Sequence, residues 1–170
     1  RLAQEHYSTI EVLVNNAGLG YLDFLDRIPT ERIQASIHTN HLGPTLFYQS
    51  LIPLFRKQQS GTVIDILSQV ALEVFDQNAV YGSTKAAHRY LSLSMERELP
   101  YLTIYRFYPG IVATPLWNKD ESELKETLRN LPSIDPDDIG KLAAKILIHP
   151  LSSDQRDIMI QPLTEESPLP

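Results

Sequence analysis

The sequence predicts an α/β fold built around a parallel sheet. Short apolar runs such as residues 12–14 are consecutive rather than alternating, as expected of strands buried on both faces. These runs alternate along the chain with longer segments of helical period, the order that produces a parallel sheet with helical crossovers. Turn signals, among them Ser60-Gly61 and Pro109-Gly110, separate the two kinds of segment.

Residues 11–18, EVLVNNAG, read as a strand running into a turn. A helical pattern follows from about 30 to 59, with Thr30 as N-cap after Pro29 and Ser60-Gly61 as the stop. TVIDIL, residues 62–67, is a second strand, and residues 78–99 are a second helix ended by Pro100. LTIYRFYPG, residues 102–110, is a third strand closed by its Pro-Gly turn. Residues 111–132 are less regular, with a charged amphipathic piece at about 119–130. Asp135 and Pro136 open a helix as N-cap and first helical residue, and His149-Pro150 stops it. DIMIQPL, residues 157–163, is a last short strand before a Pro-bearing tail expected to be loose. No repeat, low-complexity tract or linker interrupts residues 1–170, so one domain is expected. The chain begins at Arg1, and RLAQEHYST reads as the tail of a helix already under way. The start is therefore expected to be a cut in a longer chain.

Bulk composition removes several function classes. Hydrophobic residues make up 42% of the chain and charged residues 21%, which is globular rather than disordered. The net charge is −6, and no Lys/Arg cluster has the density of a nucleic-acid footprint. With no cysteine, disulfides, thiolate metal ligands and a cysteine nucleophile are excluded. No apolar stretch approaches membrane-spanning length and no signal peptide is visible, so a soluble, cytoplasmic protein is expected.

Chemistry concentrates in YGSTK. Tyr81 and Lys85 are four residues apart on one helix face, and Ser68 lies thirteen residues upstream of Tyr81. A phenol near pKa 10 is a poor proton carrier at neutral pH unless its phenolate is stabilised. A lysine at ~4 Å, in an effective dielectric of ~20, supplies about 4 kcal/mol, enough to lower that pKa by about 3. Pro44 follows Asn40 by four residues and has no N–H to return to it, which leaves the Asn40 carbonyl available to a buried water. His38 and His41 are three apart on one helix face, but no third ligand has suitable spacing, so a polar face is the reading and no metal is expected.

The ordered set Asn15-Asn16-Ala17-Gly18, Asn40-x-x-Gly43, Ser68, Tyr81-x-x-x-Lys85, Pro109-Gly110 and Thr114-Pro115 resembles the short-chain dehydrogenase/reductase family. The likeness covers nearly the whole chain and implies a Rossmann-like domain using NAD or NADP on a small alcohol or carbonyl substrate. It implies Tyr81 as general acid/base, Lys85 as holder of the nicotinamide ribose and Ser68 as the group orienting the substrate oxygen. Asn40 would anchor a relay water, and Asn16, Ala17 and Gly18 would lie under the cofactor. Pro109, Gly110, Val112 and Thr114 would hold its nicotinamide end. Residues 71–80 and 111–131 would line the substrate pocket, with Leu116 and Trp117 in its lid.

Three departures stand out. Glu11 replaces a frequent aspartate, and Leu67 replaces a small polar residue before the serine. The family's Gly-x-x-x-Gly-x-Gly turn belongs upstream of Arg1, so the doubly wound sheet is expected to lack its first strands and that turn. The likeness also implies homo-oligomers paired through the helices near 30–59 and 78–99. Two rival readings are a truncated, non-catalytic assembly module and a related epimerase or dehydratase; the NNAG turn and the short C-terminal region argue against the last.

Overall fold

The computed structural model describes residues 7–117 and 131–162. Four strands form one sheet in the order β1 (Val12–Asn15), β2 (Gly61–Ile66), β3 (Leu102–Pro109) and β4 (Asp157–Ile160). Every pair is parallel, with Leu13 beside Val63, Val63 beside Ile104, and Phe107 beside Ile158. The crossovers are α1 (Thr30–Ile37) and α2 (Gly43–Gln58), then α3 (Ala79–Glu98), then α4 (Pro136–Ile148).

Helices cover both faces because side chains alternate along a strand. Val63 and Ile104 point to one face, where Tyr48, Leu51 and Phe55 of α2 and Met95 of α3 close a buried core. Ile64, Tyr105 and Phe107 point to the other, where Ile146 of α4 packs with Ile139, Leu142 and Ala143. Gly61 opens β2 at a close approach. A Cβ there would lie 2.8 Å from two ring carbons of the buried Phe55 and 3.0 Å from Leu102.

β1 departs from the expectation of burial on both faces. Leu13 and Asn15 are buried toward α2 and α3, but Val12 is 37% and Val14 49% exposed on the other side. The core around α4 draws its strand residues from β2, β3 and β4, which leaves that side of β1 uncovered.

The single helix expected over 30–59 is three pieces. Between α1 and α2, residues His38–Leu42 form a π-turn, with the Gly43 N–H reaching back five residues to the His38 carbonyl. Pro44 supplies the reason, since it cannot donate to the Asn40 carbonyl and the α-pattern fails there. Pro29, not Thr30, caps α1, and it does so without a side-chain bond. At the far end Gln59 adopts the left-handed conformation and donates to the Phe55 carbonyl, which ends α2 just before Ser60. The start of α4 matches the expectation, with Asp135 accepting from the Asp137 N–H and Pro136 in the first turn. Among the described residues no helix is long and apolar enough to cross a membrane. The amphipathic piece at 119–130, Leu163 at the end of the last expected strand and the tail after it lie outside the described residues.

Candidate active site

With all strands parallel, Asn15, Ile66, Pro109 and Ile160 end on one edge of the sheet, where open α/β folds bind ligands. A cleft of about 910 Å³ opens there, a volume suited to a small-molecule ligand. Asn16, Ala17, Gly18, Ser68, Tyr81, Lys85, Pro109, Gly110, Val112 and Thr114 all line it. The predicted site residues therefore converge from four elements, with Asn40 just behind them.

Asn40 is fully buried on the π-turn, and its amide oxygen and both amide hydrogens are engaged. Its Oδ1 accepts from the Leu19 N–H at 2.8 Å, and its Nδ2 donates to the Leu19 carbonyl at 2.7 Å and to Thr84 Oγ1 at 2.9 Å. The side chain thus fixes the chain just past the NNAG turn against α3. Gly18 passes directly over Lys85, where a Cβ would stand 3.6 Å from both Lys85 Nζ and Asn40 Oδ1.

Ser68 follows β2 and caps the short 3₁₀ turn Gln69–Ala71 through the Val70 N–H at 3.4 Å. It also hydrogen-bonds the Tyr81 side chain. A turn-capping serine and one poised beside Tyr81 are the same residue.

The electrostatics of Tyr81 and Lys85 differ from the simple pair expected from their spacing. Lys85 Nζ donates to the Ile66 carbonyl at 2.8 Å and lies 5.9 Å from the centre of the Tyr81 ring. Burial pushes the Tyr81 phenol up to about 12, with the Ser68 bond pulling the other way. Burial likewise pushes the Lys85 ammonium down to about 8, opposed by the Asp65 charge. The expected lowering of Tyr81 by Lys85 is therefore not present in this arrangement. Desolvation outweighs an ammonium that is tied to the sheet instead of the phenol.

Several donors near the Pro-Gly turn are committed inside the fold. The Gly110 N–H bonds the Ile160 carbonyl, Ala113 bonds Ile134, and Thr114 bonds Val112. Gly20 donates to the Leu116 carbonyl at 3.1 Å, which ties the NNAG loop to the turn Pro115–Trp117. Leu116 lines the cleft beside Val112 and Thr114. Residues 71–80 do not line this cleft; with Asp23, Phe24 and Leu25, residues 71–79 border a separate one of about 480 Å³. The link is the Asp23 N–H to the Gln77 carbonyl, which draws both loops to the far side of α3.

Spacing arguments missed Ile66, whose carbonyl is invisible in residue type, and the pairing of Asn40 with Leu19. Thr84, inside YGSTK itself, was the one sequence signal available for the Asn40 contact.

A model described as short chain dehydrogenase matches residues 1–125. A sepiapterin reductase of Chlorobaculum tepidum is 28% identical over 160 residues, covering 93% of this chain and 64% of that protein. An uncharacterized oxidoreductase of Staphylococcus epidermidis is 32% identical over 114 residues, covering 66% of this chain and 50% of the other. Among solved structures, the alcohol dehydrogenase of the archaeon Thermococcus sibiricus, complexed with 5-hydroxy-NADP, superposes with a TM-score of 0.78. It is 25% identical, over 99% of this chain and 68% of that one. A serine dehydrogenase complexed with NADP+ shares the fold, with a TM-score of 0.79 and 24% identity over 95% of this chain and 67% of its own. The chain spans 64% and 50% of the length of the two curated relatives.

Proposed function

The chain belongs to the short-chain dehydrogenase family, and from that membership we propose that it carries the proton-handling half of an NAD(P)-dependent oxidoreductase interconverting an alcohol and a carbonyl. The observation that carries this reading is the meeting of Ser68, Tyr81 and a buried Lys85 in one cleft at the carboxyl edge of the sheet. The two NADP-type ligands in similar structures support the choice of cofactor.

The residues present fit a nicotinamide cofactor. Lys85 offers three N–H donors, of which the Ile66 carbonyl takes one, leaving others for the hydroxyls of a sugar. Gly18, without a side chain, leaves the space above the ammonium open to a close-lying ligand. Asn16, Ala17 and Gly18 would support the group from one side, and Pro109, Gly110, Val112 and Thr114 from the other. When bound, the cofactor supplies the hydride.

The protein's share is the proton. Burial keeps the Tyr81 phenol protonated at neutral pH, so it is loaded to give a proton to a carbonyl oxygen. Ser68, already bonded to Tyr81, would hold that oxygen beside the phenol. Lys85, with its ammonium pushed down to about 8, stands within a small shift of neutral pH and would move charge toward Tyr81 on turning to the sugar. Asn40 holds the Leu19 loop and α3 at the back of the site, and its backbone carbonyl is the proposed anchor of a relay water.

Tyr81→Phe tests the assignment. Turnover of a carbonyl substrate should fall by at least about a thousandfold, while nicotinamide fluorescence still reports binding. Retained turnover would sink the acid/base role.

The same proposal includes self-association through α1–α2 and α3. Ile37, Leu42, Leu46 and Phe47 are exposed along the first pair, and Tyr90 is exposed on α3. Apolar residues in such a row are what a helix-paired interface buries.

A further inference from the structure

One buried carboxylate beneath the cleft has no part in the chemistry above. Asp65 is fully buried near the carboxyl end of β2, between Ile64 and Ile66. Placing a carboxylate there costs several kcal/mol unless partners compensate it. Its partners come from three other elements. Asn15 of β1 donates to Oδ1 at 2.7 Å, Tyr48 of α2 donates to Oδ2 at 2.8 Å, and His88 Nε2 of α3 lies 3.1 Å from Oδ1. Arg106, its register neighbour on β3, is already engaged by Asp157 and Glu96.

Two of these partners and the next residue of β2 lead to the site. Asn15 immediately precedes the turn Asn16–Gly18 that lines the cleft. His88 follows Lys85 by three residues on the same side of α3. Ile66, whose carbonyl receives Lys85 Nζ, directly follows Asp65. His88 Nδ1 is buried with no partner among the described residues, which suits a ring carrying its proton on Nε2 and donating it to Asp65. The carboxylate then keeps its negative charge. Burial pushes the Asp65 carboxyl up, but His88 above all, with Ser92 and Asn15, outweighs it and holds the group below the usual carboxylate range.

Lys85 needs such a charge. It is 3% exposed, and among the described residues its ammonium donates to a neutral carbonyl. Tyr81, beside it on α3, is a buried phenol, and His88, one turn further along, is engaged with Asp65. Among the described residues Asp65 is the charge whose field favours the ammonium, and it directly precedes the residue whose carbonyl holds Lys85 Nζ.

We propose that Asp65 is a positioning residue: its carboxylate, clamped by Asn15, Tyr48 and His88, keeps the Lys85 ammonium charged and drawn to the sheet at the floor of the cleft. The consequence for turnover rests on the reading of Lys85 as the sugar-holding residue; the physical claim about Lys85 stands apart from it.

The test reads Lys85 without turnover. Lysine labelled with 13C and 15N is incorporated into the protein, the Lys85 signal is assigned by its loss in Lys85→Met, and it is titrated in the native protein and in Asp65→Asn. The Lys85 midpoint should fall by about one pH unit or more in a folded Asp65→Asn protein. An unchanged midpoint in that folded variant overturns the proposal. Where Asp65→Asn does not fold, His88→Leu removes the α3 donor and His88→Gln restores one. The midpoint should then leave its native value in the leucine variant and return toward it in the glutamine variant; one midpoint common to both and to the native protein overturns the proposal. Active Tyr81→Phe would defeat the catalytic reading yet leave this titration intact, so the two failures are distinguishable.

Discussion

Replacing Lys85 with methionine should change how stability depends on pH more than it changes stability itself. Burial holds the ammonium at about 8 against an ordinary 10.5, and with 3% exposure solvent screens little of that effect. At about 1.36 kcal/mol per pH unit, the difference is worth about 3 kcal/mol. Methionine removes the buried charge but leaves the Ile66 carbonyl without its donor, at a cost of about 1–3 kcal/mol. At neutral pH the two effects nearly offset. Their pH dependence does not. In the native protein the folded state releases the Lys85 proton near pH 8, while the unfolded chain keeps it to about 10.5. Between those values the unfolded state binds more protons, so native stability rises with pH. The contribution is complete above the unfolded pKa and lost as pH falls through the folded one. Urea unfolding of both proteins between about pH 7 and 10.5 should show the native curve gaining about 3 kcal/mol on the variant. Other groups titrate alike in both and cancel in the difference, and Tyr81, pushed up to about 12, acts mainly above this window. A difference that stays flat across it would refute the claim that Lys85 carries a desolvation burden.

Three further outcomes follow from the geometry. Gly61→Ala should cost about 1–3 kcal/mol in thermal unfolding, because the new methyl meets the buried Phe55 ring at 2.8 Å; an unchanged melting temperature would mean the ring yields freely. Asn40→Ala should destabilise by about 2–3 kcal/mol and speed amide exchange at Leu19, since it strips the partners from both the N–H and the carbonyl of that residue. Equal protection of Leu19 in both proteins would contradict that role. Phe47→Glu, at a position 58% exposed on α2, should shift light scattering to a smaller species; an unchanged mass would remove this face from the proposed interface.

The strands were legible because a buried parallel strand writes its burial into consecutive residues, as in Val63 and Ile64 or Ile104 and Tyr105. The same rule overreached at β1, where Val12 and Val14 read as covered but only Leu13 and Asn15 are. Residue type records what a strand is suited to, and which neighbour covers it is decided elsewhere in the chain. In the cleft, the spacing of Tyr81 and Lys85 correctly placed both on one helix face. It did not predict the end of the lysine side chain, whose four methylenes let Nζ choose between the phenol and the Ile66 carbonyl. Asp65 and His88 gave no signal, because their meaning lies in partners 23 and 50 residues away. The π-turn had one signal in Pro44, whose missing N–H frees the Asn40 carbonyl but does not say that the turn gains a residue.

That extra residue makes the stretch from Thr30 to Gln58 a matter of counting as well as of identity. Removing one residue from His38–Leu42 would take the extra residue out of the turn, and each helical residue turns the chain by about 100°. Everything on α1 would then swing by that angle relative to α2, carrying the buried Ser36 off its present face. Asn40 would lose its line to Leu19 and Thr84 by the same rotation. Related chains are therefore expected to vary here by exchange of side chains far more readily than by insertion or deletion. The length of the turn, more than its wording, keeps the two halves of the helix in phase.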